Sequence, residues 1–163
     1  MVESSEPTGA KHSTSAERKS DLEVIVRRSF DAPARLVFEA WTRPELFRPW
    51  WVPKSSGLTL LSLDQDVRVG GAYRLVFDLG DSKTMTFFGT YIEVTPPSRL
   101  SWTNEESADG AVTTVTFEEQ DGQTHLTFSE RYRTKEALDR NIGSTEGLPE
   151  QFAQLDALLS TLV

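Results

Sequence analysis

The sequence predicts an α+β domain in which a curved antiparallel sheet of six to seven strands packs around a long C-terminal helix. Two observations carry this prediction. Short apolar segments separated by turn signals fill residues 22–131, and residues 148–163 place apolar side chains at helical spacing. An antiparallel sheet of this many strands must curl, and its apolar face needs an apolar partner. The C-terminal helix is the candidate partner.

The C-terminal helix is predicted from steps of four and three residues between apolar positions, which place them on one helical face. Pro149 fits only in the first turn, where its missing N–H costs nothing. The face consists of Leu148, Phe152, Leu155, Leu159 and Leu162.

The first strand is predicted over residues 22–30, with Arg28 on its apolar side. Asp31 is expected to cap the helix that follows, with Pro33 in its first turn. This helix ends near Thr42, before a second short helix. We expect the two short helices to plug one end of the curled sheet.

The second short helix is predicted to begin at Pro44. Pro49 and Pro53 bracket the pair Trp50 and Trp51, so this pair is expected on a stiffened segment where helix changes to loop.

Six further strands follow, separated by turn signals such as Gly70-Gly71 and Asp121-Gly122. The strand over residues 84–94 is apolar on both faces, so periodicity leaves its inner face open and permits a homodimer surface. The last strand alternates Phe128 and Glu130 inward. The six strands are predicted at residues 58–63, 72–79, 84–94, 99–104, around Val115 and Phe117, and 123–131.

Composition excludes several classes of function. Residues 1–20 lack an apolar run and are predicted to be a disordered tail, which leaves one domain over residues 21–163. The net charge of −8 disfavours nucleic acid and anionic membranes as partners. No stretch has the about 20 apolar residues of a membrane span, and none resembles a secretory signal, so we expect a soluble, cytoplasmic protein.

Cofactor and metal sites are not expected. The sequence contains no cysteine and only His12 and His125, which excludes thiolate catalysis and cysteine zinc sites. Gly70-Gly71 is a turn, because no Lys-Ser/Thr pair or helix start follows it as a phosphate site requires. His125 is expected to be exposed, and no glycine-flanked nucleophile accompanies it, which argues against a hydrolase triad.

Several motifs, taken together, cover about residues 22–163. They are Arg28-Ser29-Phe30-Asp31-Ala32-Pro33, Ala40-Trp41-Thr42, Trp50-Trp51-Val52-Pro53, Asp66-Val67-Arg68-Val69-Gly70-Gly71, Phe88-Gly89-Thr90-Tyr91 and Glu146-Gly147. This set resembles the START-like (SRPBCC, helix-grip) superfamily and, within it, the family named after the activator of heat-shock protein 90 ATPase (AHSA-type). The resemblance implies a helix-grip fold in which the first and last strands are neighbours.

Two positions depart from the pattern of this family. Similar members often carry histidine at the position of Glu130 and an aromatic residue at the position of Leu148. Both positions are expected to face the cavity, so the ligand of a relative is not expected to transfer to this chain.

The candidate ligand-binding residues are those predicted to face the inside of the sheet or helix. Aromatic side chains fill cores as readily as they line pockets, so each tryptophan has both interpretations; Trp51 is the first candidate for the cavity mouth. The full set is Arg28, Trp50, Trp51, Tyr73, Phe77, Trp102, Phe117, Phe128, Glu130, Leu148, Phe152 and Leu155.

Arg28 and Glu130 are the charged members of this set. If both point inward, they are expected to pair with each other or to bind a polar ligand group, because an unpaired buried charge is costly. Desolvation without a full partner would raise the pKa of Glu130 and make it a candidate proton carrier.

Three functions remain open at this stage. The first is binding of a small hydrophobic, lipid-like or aromatic molecule under the terminal helix. The second, implied by the resemblance, is contact with a heat-shock chaperone in a stress response. The third is an enzyme acting on a bound hydrophobic compound, for which Glu130 is the only clear acid–base candidate. We favour binding over catalysis.

Overall fold

The computed structural model describes residues 12–163, which form an α+β domain with one eight-stranded antiparallel sheet and four α-helices. The order across the sheet is β1-β2-β8-β7-β6-β5-β4-β3, so the first long strand and the last are neighbours. The strands are β1 Ser15–Arg18, β2 Glu23–Phe30, β3 Thr59–Gln65, β4 Ala72–Gly80, β5 Lys83–Thr95, β6 Arg99–Thr103, β7 Val112–Gln120 and β8 Gln123–Arg131. The helices are α1 Ala34–Thr42, α2 Pro44–Trp51, α3 Lys135–Arg140 and α4 Leu148–Ser160.

The strand count exceeds the predicted six to seven because β1 adds an edge strand. Its Ala16 pairs with Val26 of β2, and Glu17 forms an ion pair with Arg27 at 2.6 Å. Residues 15–18 of the predicted disordered tail therefore form a strand. Residues 1–11 of this tail lie outside the described residues. A polar segment can form an edge strand when an existing strand supplies the backbone hydrogen bonds.

The two short helices follow β2 as predicted, but Asp31 does not cap α1. The N-cap position is Pro33, and the Ala34 backbone N–H donates to Glu119 Oε1 of β7 at 2.9 Å. Asp31 lies two residues before the cap and accepts a hydrogen bond from Gln123 Nε2 instead. A residue of β7, which is distant in the sequence, therefore supplies the cap, and the residues around the start of α1 do not reveal it.

The long strand β5 pairs first with β4 and then with β6. Its inner face carries Phe87 and the buried Tyr91, while Phe88 and Ile92 are 41% and 46% exposed on the other face. The structure thereby shows which face of this strand is the inner one, which periodicity left open. A homodimer through the outer face stays a prediction.

Helix α4 buries the predicted apolar face against the rest of the core. Leu148, Phe152, Leu155 and Leu159 are buried, and the Phe152 ring meets the Phe30 ring of β2 edge-on at 5.8 Å. The helix ends at Ser160, so Leu162 lies beyond it and is exposed, contrary to the prediction.

Polar residues of α4 also hold the end of α2. Gln154 Nε2 donates to the carbonyl oxygens of Trp50 and Val52 at 3.0 and 2.9 Å, and Gln151 Nε2 donates to the carbonyl oxygen of Trp51. The last carbonyl groups of a helix lack partners within the helix, so α4 satisfies groups that α2 leaves open.

Helix α3 was not predicted. Thr134 caps it by accepting from the Ala137 backbone N–H at 3.0 Å, and Leu138 packs into a small second core with Ala111 and Tyr132. None of the described helices is both long and apolar enough to span a membrane.

Candidate functional site: a cavity between the sheet and the terminal helix

A large cavity of about 530 Å³ lies where the sheet, the end of α2 and the beginning of α4 meet. Strands β4 and β5 supply one wall, and the β6–β7 loop and the end of β8 supply another. The apolar part of the lining includes Trp51, Leu58, Phe77, Phe87, Phe128 and Leu148. The polar part includes Asn104, Glu106, Glu130, Tyr132, Asn141 and Ser144.

A second, smaller cavity of about 70 Å³ adjoins the large one. The two cavities share Trp51, Phe87 and Asn104 as lining residues, so they meet at these side chains. Most of the smaller lining is aromatic, with Trp41, Phe47, Tyr73, Tyr91 and Trp102 as members.

Glu130 lies at the polar end of the large cavity because the alternation of β8 turns it to the same side as Phe128. Its Oε1 accepts hydrogen bonds from Ser144 Oγ at 2.7 Å and from Tyr132 Oη at 3.2 Å. Burial raises the pKa of the Glu130 carboxyl, the two hydrogen bonds oppose this, and the negative charge of Glu106 raises the pKa further.

Tyr132 shares this environment. Burial raises its pKa to about 12, with a further contribution from the negative charge of Glu130. The phenol therefore stays protonated near neutral pH and remains a hydrogen-bond donor to Glu130.

Glu106 reaches the cavity from the β6–β7 loop. Its Oε1 accepts from the Phe88 backbone N–H at 3.1 Å, and the neighbouring Glu105 backbone N–H donates to the Phe88 carbonyl at 2.8 Å. No lysine, arginine or histidine of the described residues lines the large cavity. The charge of its polar end is therefore negative whenever the carboxyls are ionised.

Arg28 points inward as predicted and is 3% exposed, but it does not pair with Glu130. In the β2–β8 register Arg28 is opposite Leu126, while Glu130 is opposite Val24, so the two side chains are separated along the sheet. Arg28 Nη2 instead lies 3.5 Å from Asp156 Oδ2 of α4, and its guanidinium lies 4.9 Å from the centre of the Phe30 ring. The predicted Arg28–Glu130 ion pair is wrong.

The predicted site residues divide between the cavities and the core. Trp51, Phe77, Phe128, Glu130 and Leu148 line the large cavity. Trp51, Tyr73 and Trp102 line the small one. The residues that line neither are Arg28, Trp50, Phe117, Phe152 and Leu155, all buried.

Sequence reasoning missed most of the polar lining. Tyr132 continues the step of two residues that links Phe128 and Glu130, so the alternation of the last strand contained a signal for it. Asn104 likewise continues the step of two residues from Leu100 and Trp102 in the predicted strand 99–104. Glu106 and Ser144 lie outside regular strands and helices, where no periodicity marks the inward side.

Replacing Glu130 by glutamine should stabilise the protein above neutral pH. Since the folded-state pKa of Glu130 is raised, the folded protein binds a proton that the unfolded chain has already released, and the free energy of unfolding falls as pH rises through the raised pKa. Each pH unit between the two pKa values is equivalent to about 1.4 kcal/mol. Urea unfolding of Glu130→Gln and the wild type from pH 4 to 8 measures the difference, which should vanish towards pH 4.

Glu118→Gln is the matched control for this experiment, because Glu118 is exposed on β7. The free energy of unfolding of Glu118→Gln should equal that of the wild type at every pH. Equal stability of Glu130→Gln and the wild type at pH 8 would contradict a raised pKa at Glu130.

Three solved structures illustrate the likeness of this fold to known proteins. A protein from Rhodobacter sphaeroides superposes with a TM-score of 0.82 at 24% identity, covering 92% of this chain and 99% of its own. A Nitrosomonas europaea protein superposes with a TM-score of 0.78 at 21% identity, covering 90% of this chain and 99% of its own. A Mycobacterium smegmatis protein superposes with a TM-score of 0.77 at 24% identity, covering 89% of this chain and 95% of its own. At these identities the likeness concerns the fold alone.

Comparison with curated proteins gives no significant match. A family model does match, over residues 31–160, and its description is Activator of Hsp90 ATPase homolog 1-like protein. This range includes α1, α2, strands β3 to β8 and all of α4, and therefore every described residue of the two cavities. The predicted resemblance is confirmed, and the chain belongs to the AHSA1 family of START-like proteins.

Proposed function

We propose that this protein binds a small, uncharged hydrophobic or aromatic molecule in the cavity between the curved sheet and α4. The observation that carries the proposal is the large cavity, whose volume of about 530 Å³ is within the range of small-molecule sites. Apolar side chains from the sheet and α4 supply the walls, and a few polar groups converge at one end.

The apolar wall favours ligands with an extended hydrophobic body. Phe77, Phe87 and Phe128 project from three strands, and Leu148 faces them from the first turn of α4. Transferring apolar surface from water to such a wall contributes roughly 25 cal/mol per Å².

The polar end selects against anionic head groups. Glu106 and Glu130 line it without a neighbouring lysine, arginine or histidine among the described residues. A ligand carboxylate there would meet like charge in a partly desolvated site. Neutral lipids, alcohols and aromatic compounds suit the cavity better than fatty acids in their ionised form.

At pH 8, 1-decanol should bind at least about tenfold more tightly than decanoate, because like-charge contact costs on the order of a kcal/mol or more in such a site. The two ligands have the same chain length, so the difference reports the head group. Intrinsic tryptophan fluorescence gives the affinities, with Trp51 in the cavity wall as the reporter.

Leu58→Trp should weaken 1-decanol binding by filling part of the large cavity, which Leu58 lines. Leu61→Trp is the matched control, because Leu61 is exposed on β3 and lines neither cavity. Absence of binding by any neutral hydrophobic probe would overturn the proposal and favour a protein partner for this domain.

A further inference from the structure

We infer that the small cavity is a subsite for a phenolic hydroxyl, so that the ligand is a hydroxylated aromatic compound. The inference rests on the proposed function, since the subsite adjoins the large cavity through Trp51, Phe87 and Asn104. It adds the chemical class of the ligand and the atoms that recognise it.

Two polar atoms of residues that line the small cavity have no hydrogen-bond partner among the described residues: Trp41 Nε1 and Gln65 Oε1. Trp41 is only 1% exposed, and both atoms are shielded from solvent. A buried donor or acceptor without a partner is costly and uncommon in folded proteins. Both residues line the same small cavity, and we infer that one ligand group serves both atoms.

The orientation of the Gln65 amide follows from its other contacts. Its Nε2 donates to the Trp41 backbone carbonyl at 3.1 Å and to Tyr91 Oη at 3.3 Å. Since a backbone carbonyl only accepts, the nitrogen must face it, which leaves the oxygen as an acceptor. The same contact places Gln65 beside Trp41.

A hydroxyl is the group that matches this pair of atoms. Its oxygen accepts from the indole N–H of Trp41, and its hydrogen is donated to Gln65 Oε1. A carbonyl group only accepts and would leave Gln65 unpaired. A carboxylate would also bring a charge into an aromatic enclosure, which is unfavourable.

The enclosure also favours a neutral aromatic ring as the carrier of this hydroxyl. Phe47 and Trp51 are stacked at 4.8 Å, and Tyr91 and Trp102 meet edge-on at 6.5 Å, so flat aromatic surfaces line the space. Burial raises the pKa of Tyr91 to about 12, which indicates that the surroundings disfavour a phenolate. A bound phenol therefore stays protonated, and its O–H group donates a hydrogen bond to Gln65 Oε1.

The test compares 2-naphthol with 2-methylnaphthalene, which replaces the hydroxyl by a methyl group of similar size. The wild-type protein should bind 2-naphthol about tenfold more tightly, as expected for two additional hydrogen bonds. In a ¹⁵N NMR titration the indole Nε1–H signal of Trp41, assigned with Trp41→Phe, should shift downfield with 2-naphthol but not with 2-methylnaphthalene.

Gln65→Met removes the acceptor while preserving side-chain length, and the preference for 2-naphthol should fall several-fold. Gln120→Met is the matched control, because Gln120 is exposed at the end of β7 and lines neither cavity. It should keep the wild-type preference. If Gln65→Met does not fold, the Trp41 signal in the wild type still decides the question.

The outcomes separate this inference from the proposed function. Equal affinity for both probes without a Trp41 shift would overturn the phenol subsite and leave the hydrophobic cavity supported. A preference for 2-naphthol with shifts at Glu130 and Tyr132 but not at Trp41 would also overturn it, by placing the hydroxyl at the other end. Failure of both probes and of 1-decanol to bind would overturn both proposals.

Discussion

Trp50→Ala should lower the free energy of unfolding by about 3–5 kcal/mol, the range for truncating a buried tryptophan. The Trp50 side chain is 0% exposed, and its Nε1 donates to the Ala40 backbone carbonyl at 3.0 Å. Its ring lies edge-on to Trp41 at 4.8 Å and near Phe152 of α4 at 6.5 Å. The truncation would open a void among α1, α2 and α4 and leave a buried carbonyl without its partner.

Trp51→Ala is the informative comparison, because Trp51 adjoins Trp50 but is only partly buried and lines both cavities. Its truncation extends existing cavities, so we expect a smaller loss of stability, about 1–2 kcal/mol, together with a clear loss of 1-decanol affinity. Urea unfolding and fluorescence titration of both variants test this contrast. Equal destabilisation by the two variants would contradict the assignment of Trp50 to the core and Trp51 to the cavity wall.

The core of the fold could be predicted from the sequence because its signals are periodic. The spacing of Leu148, Phe152, Leu155 and Leu159 identifies the buried face of α4, and all four are buried. Alternation in the strands likewise placed Arg28 on the inner side of β2. Periodicity predicts which face of a helix or strand is buried, and the four residues of α4 and Arg28 of β2 are buried as it predicts.

Partners across the fold could not be predicted in the same way. Arg28 and Glu130 lie on neighbouring strands, but their separation depends on the β2–β8 register, which alternation does not determine. Asp156 of α4, the actual neighbour of Arg28, is not one of the apolar positions that predict the buried face of its helix. An ionic contact between a strand and a helix depends on how the helix packs on the sheet.

The polar elements of the structure were missed for a related reason. β1 and α3 are polar segments whose stability comes from a neighbouring strand and a small second core, respectively. The loop that carries Glu106 and the turn that carries Ser144 contribute to the cavity through their position alone. Sequence reasoning therefore reached the apolar part of the candidate site better than its polar end.

Gly89→Ala should be the other strongly destabilising change, at about 2–4 kcal/mol, because β5 and the end of β6 approach each other closely at this residue. A Cβ atom at Gly89 would lie 1.9 Å from the Thr103 carbonyl oxygen and 2.8 Å from Tyr73 Cε2. The Thr103 carbonyl accepts from Tyr73 Oη at 2.8 Å, so the added Cβ would crowd both partners of this hydrogen bond.

The same substitution should alter ligand selection. The residue before Gly89, Phe88, donates its backbone N–H to Glu106 Oε1, and the residue after it, Thr90, donates its N–H to Thr103 Oγ1 at 3.0 Å. Pushing β6 away from β5 would shift the loop that holds Glu106 at the polar end of the large cavity. The preference for 1-decanol over decanoate should therefore shrink along with stability.

Gly147→Ala provides the matched control, because a Cβ there would meet Gln151 Oε1 at 3.5 Å and Pro53 Cγ at 3.6 Å, which are ordinary contacts. We expect it to change the free energy of unfolding by less than about 1 kcal/mol and to keep the ligand preference. Urea unfolding at pH 7 and titrations at pH 8 measure both variants. If Gly89→Ala retained wild-type stability and preference, the close approach of β5 and β6 would not be what positions Glu106, and the anion exclusion proposed for this cavity would need another source.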